Sequence, residues 1–101
     1  MKPLFMAGLL TSAALSSAQA LAAGDVAAGQ EKSASCAICH GPTGEGTSVG
    51  PKLAGEDPVR FAQAIKDFAS GKRNNAMMKA QAETLSNADV ANLAAYYASL
   101  K

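Results

Sequence analysis

The sequence predicts an all-α domain, and three observations carry that reading. Apolar residues recur at steps of three and four after positions 57 and 86, the spacing of one helix face, and no segment alternates apolar and polar as a half-buried strand does. The long interruption at 41–57, GPTGEGTSVGPKLAGED, holds five glycines and two prolines, so no regular element survives there. At 101 residues and 49% hydrophobic, the chain suits one small domain. Nine basic residues against eight acidic ones leave neither the footprint of nucleic-acid binding nor the like-charge tract of a disordered tail.

Residues 1–22 read as a secretory leader. Lys2 supplies the positive end, the stretch 4–15 is mostly apolar, and small residues follow at Ala18, Ala20 and Ala22. Cleavage after Ala20 or after Ala22 satisfies the small-x-small rule; Ala22 is preferred because it leaves Ala23-Gly24-Asp25 as the start. The alternative is a membrane anchor. Against it, the apolar run carries Thr11, Ser12, Ser16 and Ser17 and is shorter than the ~20 residues a spanning helix needs. The expected domain is therefore 23–101, with no stable membrane insertion. Removing the leader takes away Lys2 as its only charge, which leaves acids and bases balanced. It also removes Phe5, so Phe61, Phe68, Tyr96 and Tyr97 are the aromatic material of the core. A chain this small rarely buries enough apolar surface to offset its conformational entropy without a staple.

Each element has its own signals. Asp25 N-caps a first helix over residues 26 to about 35. Gly29 within it is costly unless a second helix crosses closely there. The loop at 41–57 exceeds the length at which structureless segments are common in compact domains, which points to function. Asp57 caps the next helix, Pro58 takes its first position and Gly71 ends it; Val59, Ala62, Ile65 and Ala69 form its stripe, flanked by Phe61 and Phe68. Residues 72–85 read as loop with one or two helical turns. Ser86 and Asp89 form a capping box for the best helix of the chain, with Val90, Leu93, Tyr97 and Leu100 on one face.

The chemistry lies in Cys36-Ala37-Ile38-Cys39-His40, the C-x-x-C-H pattern of haem attachment. Two thiols three residues apart near a helix end can each add to one vinyl group of a single porphyrin, and the following imidazole then faces the iron. Competing readings explain less. A redox disulfide of the thioredoxin kind needs a βαβ context, a zinc site needs four ligands, and a structural disulfide leaves His40 unexplained. With the leader gone, Met77 and Met78 are the remaining methionines and there is no second histidine. A thioether is a soft donor suited to haem iron, so one of these two is expected at the sixth position.

These residues resemble a known family. From Gly24-Asp25 and Gly29 through Cys36-Ala37-Ile38-Cys39-His40, Gly41-Pro42 and Gly50-Pro51-Lys52-Leu53-Ala54-Gly55, the chain is similar to class I c-type cytochromes. The match continues through Arg73-Asn74-Asn75-Ala76-Met77-Met78 and Leu85-Ser86 to Leu93-Ala94-Ala95-Tyr96-Tyr97. It resembles the small bacterial monohaem c553 kind and one half of the dihaem c4 proteins. The resemblance implies a small cytochrome c fold, with the first and last helices crossing where Gly29 meets Leu93 and Tyr96, around one covalently attached haem c. It implies haem attachment through Cys36 and Cys39 and ligation by His40, with the Pro51 carbonyl orienting the imidazole. It also implies Met78 as the sixth ligand, seven residues before the leucine of the Leu-Ser pair, with Met77 as runner-up.

Iron held on both sides by protein has no open position for substrate, so the expected role is a periplasmic one-electron carrier rather than an enzyme. Lys52, Lys72, Arg73 and Lys79 flank the loops expected at the haem edge and are candidates for steering redox partner proteins to a monomeric carrier. Two alternatives stand beside it: a haem subunit of a dehydrogenase or oxidase complex, and a gas-binding sensor whose methionine ligand is labile.

Overall fold

The structure is a computed structural model and describes residues 24–101; the expected leader, residues 1–22, and its expected cleavage point lie outside the described residues. Among the described residues five helices follow one another: α1 (Val26–Lys32), α2 (Ala34–His40), α3 (Pro58–Ser70), α4 (Ala76–Glu83) and α5 (Asn87–Ser99). There is no strand among the described residues.

Asp25 caps α1 as expected, its carboxylate accepting from the Ala27 and Ala28 amides at 2.9 and 3.2 Å. The helical region runs further than the sequence suggests, to His40 rather than about residue 35, and it breaks once, at Ser33. There the hydroxyl donates back to the Gln30 carbonyl at 2.7 Å, and the amide is shared between Gly29 and Gln30. Back-bonding of this kind bends a helix without ending it.

The principal helix contact is α1 across α5. Gly29 permits it: a Cβ there would lie 2.0 Å from the Asn92 carbonyl oxygen and 2.8 Å from Tyr96 Cβ. The partners at that glycine are therefore Asn92 and Tyr96, where the resemblance implied Leu93 and Tyr96; Leu93 is fully buried in the core instead. Gly24 makes an equally close approach to Ala91. The crossing is further tied by the Asp25 amide on Asn92 Oδ1 at 2.8 Å and by Lys32 against Asp89 at 3.5 Å.

In α3, Asp57 accepts from the Arg60 amide at 3.0 Å, Pro58 stands first and Gly71 closes in the left-handed conformation. The buried side chains are Phe61 and Ile65, while Val59 is 75% exposed. Of the expected stripe, Ala62, Ile65 and Ala69 face the core together with the flanking Phe61 and Phe68, and Val59 alone departs from it. Residues 76–83, expected as at most a turn or two within a loop, form a short complete helix. Asn75 caps it by accepting from the Met78 amide at 2.9 Å, and Ala, Met, Lys, Gln and Glu are all strong helix formers. The Ser86–Asp89 capping box of α5 is reciprocal. From α5, Val90, Leu93, Ala94, Tyr96 and Tyr97 join Phe61, Ile65 and Ala82 in the core, with Tyr97 5.6 Å from the Phe61 ring and 5.0 Å from the Tyr96 ring.

Candidate functional site

The site begins at the last turn of α2. Cys36 and Cys39 stand about one helical turn apart, both half-buried and both free thiols. Cys36 packs against the core. Burial pushes its thiol pKa up, opposed by contacts with the Tyr97 hydroxyl, Ser35 and Lys32. The Tyr97 hydroxyl is raised in turn, first by its own burial and then by Cys36.

His40 closes α2 and is 7% exposed. Gly41, at φ 96°, ends the helix directly after it. The chain then turns back, the Gly46 amide donating to the His40 carbonyl at 2.8 Å, so that residues 46–51 lie alongside the ring. His40 Nδ1 sits 2.6 Å from the Pro51 carbonyl oxygen. A carbonyl only accepts, so Nδ1 carries the proton and Nε2 keeps its lone pair for a metal.

Like Cys36, the side chains of Leu53, Phe68, Met78, Leu85 and Leu100 pack on the core while remaining partly accessible. Two thiols, a buried imidazole with one nitrogen committed, and partly accessible apolar side chains on the core fit a covalently held iron porphyrin. Of the two methionines, Met78 is partly buried against the core, whereas Met77 is 67% exposed; adjacent positions at the start of α4 send them to different surroundings.

The basic residues named from the sequence divide into two kinds. Lys52 and Lys72 are exposed. Arg73 is exposed too, with its guanidinium 4.3 Å above the Phe68 ring. Lys79 is engaged: its Nζ donates to the Ala69 carbonyl at the end of α3 and to Glu83, both at 3.0 Å. Sequence reading missed Thr47, whose hydroxyl donates to the Cys39 carbonyl; a threonine in a glycine-rich loop carries no pattern that marks it.

An all-α fold that presents two thiols and a neighbouring imidazole at one helix end, with the imidazole oriented by a carbonyl, defines a c-type haem protein. Comparison with known proteins agrees. The family profile described as cytochrome c oxidase, cbb3-type, subunit III matches residues 24–96. Cytochrome c-554(548) of Halomonas halodenitrificans is 41% identical over 81 residues, covering 76% of this chain and 98% of that one. A protein of Thiomonas intermedia named thiosulfate dehydrogenase electron acceptor is 44% identical over 77 residues, which cover 74% of this chain and 36% of its own length. Among solved structures, cytochrome c4 of Acidithiobacillus ferrooxidans superposes with a TM-score of 0.73 at 28% identity, over 77% of this chain and 51% of that chain. The chain thus spans nearly all of the first relative, about a third of the second and about half of the solved neighbour. It belongs to the cytochrome c family and carries one covalently bound haem c at the C-x-x-C-H motif of Cys36, Cys39 and His40.

Proposed function

We propose that this cytochrome is a periplasmic one-electron carrier that shuttles between redox proteins and catalyses no reaction of its own. The haem supplies the reversible one-electron couple. Cys36 and Cys39 would anchor it, His40 would ligate its iron through Nε2 with the Pro51 carbonyl holding the ring, and Met78 would supply the second protein ligand. The observation that carries the reading is the His40–Pro51 contact of 2.6 Å, because it fixes both the tautomer and the plane of a ligand that must serve two oxidation states without moving. The burial of Met78 beside the exposed Met77 supports the choice between the two. The domain would be 23–101. Export is supported by the leader-like residues 1–22, and no helix among the described residues is long and apolar enough to cross a membrane.

The test is the visible spectrum of the dithionite-reduced protein with and without carbon monoxide. The wild type and Met77→Ala are expected to keep an unchanged low-spin spectrum, and Met78→Ala to shift on adding carbon monoxide. A shift in the wild type would instead favour a labile-ligand sensor.

The family description favours a second reading, in which the same haem domain works as a subunit docked on an oxidase. Gel filtration of cell extract separates the two: a carrier elutes at the size of a free monomer, a subunit in a large stable complex.

A further inference from the structure

The Pro51 carbonyl that meets His40 belongs to a residue unable to anchor itself, because proline has no N–H to donate. Its position is inherited from the anchors on either side. Downstream, the Leu53 and Ala54 amides both donate to the Gly44 carbonyl, at 2.8 and 2.9 Å. Upstream, the Gly46 amide donates to the His40 carbonyl at 2.8 Å, and the remaining anchors converge on Thr47. Its hydroxyl donates to the Cys39 carbonyl and accepts from the Val49 and Gly50 amides at 3.1 and 3.3 Å, while its own amide donates to the Gly50 carbonyl at 2.8 Å. Residues 47–50 thus form a closed turn that the Thr47 side chain fastens to the last turn of α2 beside the Gly46–His40 backbone bond, and Pro51 follows immediately.

The fit at the end of that turn is tight. A Cβ on Gly50 would lie 2.9 Å from the Cys39 carbonyl oxygen and 2.9 Å from His40 Nδ1, so a small displacement of the turn changes the distance between Pro51 and the imidazole. The Cys39 carbonyl is also one of the last four of its helix, which have no partner within the helix itself. Thr47 therefore answers a need of α2 and sets the loop with one bond.

We propose that Thr47 is a positioning residue for His40: its hydroxyl latches the 47–50 turn to α2 and so fixes the Pro51 carbonyl on the imidazole Nδ1. The latch rests on the ligand role proposed above for His40. It tunes the ligand because a firmly held Nδ1–H···O=C bond makes the opposite nitrogen a stronger donor.

The experiment compares wild type, Thr47→Val and Thr47→Ser as haem-loaded proteins, reading the solvent-exchange rate of the His40 Nδ1 proton by NMR and the midpoint reduction potential. Losing a hydrogen bond of ordinary net strength should speed exchange about fivefold in Thr47→Val and move the potential upward, because a weaker donor stabilises the oxidised iron less. Thr47→Ser keeps the hydroxyl and should match the wild type in both readings. Unchanged exchange and potential in Thr47→Val, with only a lower melting temperature, would reduce Thr47 to a helix cap and overturn the proposal. So would a serine variant that behaves like valine. If the valine variant yields no haem protein, Thr47→Ala, which adds no volume, gives the same readings; failure of both while serine folds would make the hydroxyl a folding element only. A wild type with no iron-bound His40 signal would sink the ligand assignment and the latch together, whereas a normal wild type with unmoved variants sinks the latch alone.

Discussion

An imidazole that ligates a metal through one nitrogen needs its proton held on the other, and the surroundings of His40 meet that need with a carbonyl at 2.6 Å. The ring is 7% exposed, so water competes little for either nitrogen. Asp89 is held with similar economy at the start of α5. The Ser86 amide on its carboxylate, at 3.0 Å, lowers its pKa, and the Ser86 side chain and Lys32 add to the effect. A carboxyl whose folded value lies below its unfolded one stabilises the fold fully above the unfolded value, near 4. It loses that contribution as the pH falls through the lower folded value. Glu45, lowered first by its own amide and then by that of Thr43, acts in the same direction. We therefore expect the melting temperature to fall as the pH drops below about 4, and Asp89→Asn to flatten that decline while lowering stability at neutral pH. A decline of the same steepness in the variant would count against the assignment.

Among the elements, the α1–α5 crossing depends on the absence of a side chain. At Gly29 an added methyl meets the Asn92 backbone 2.0 Å away and Tyr96 Cβ, neither of which can swing aside. Gly29→Ala should cost about 2 kcal/mol or more by overpacking and lower the melting temperature by roughly 10 °C or more. Gly71→Ala is the contrast: its φ is +86° but nothing lies within 4 Å of its Cβ position, so the loss is expected near 1 kcal/mol. Equal shifts in the two variants, followed by calorimetry, would mean that backbone strain and not close approach governs Gly29. The helices differ in how plainly the sequence announces them. Asp57, Pro58 and Gly71 bracket α3, and Ser86 with Asp89 opens α5, because caps are local chemistry that a few neighbouring residues specify. α4 is harder to see, since its eight residues show little amphipathic stripe and its start depends on Asn75. The break at Ser33 is harder still, because it arises from a single hydroxyl turning back on Gln30.

For the molecule as a whole, the core is small, with Tyr97 and Leu93 as its largest fully buried side chains. A covalently attached haem supplies apolar bulk that so short a chain lacks. The attachment motif was legible because C-x-x-C-H is contiguous and chemically specific. The Thr47 latch was not, because it joins residues eight apart through a side chain that most loops use only for solvation. The surface charges are unequal candidates for docking: Lys52, Lys72 and Arg73 are exposed, whereas Lys79 is spent on Ala69 and Glu83. Replacing Lys52 or Lys72 by Glu is expected to slow electron exchange with an acidic partner severalfold at low salt and much less at high salt. Lys79→Glu should instead lower stability, because it removes the tie between α3 and α4. Stopped-flow rates at two ionic strengths check both, and salt-independent rates for the first pair would exclude steering.

The clasp of α1 on α5 also joins the two ends of the described chain. Asp25 and Asn92, which bond directly, stand 67 positions apart, so closing this contact gathers nearly all the intervening chain and is entropically the most demanding step. Until α5 has been made and has docked, Tyr97 cannot cover Cys36, and the thiol stays within reach of the attachment reaction.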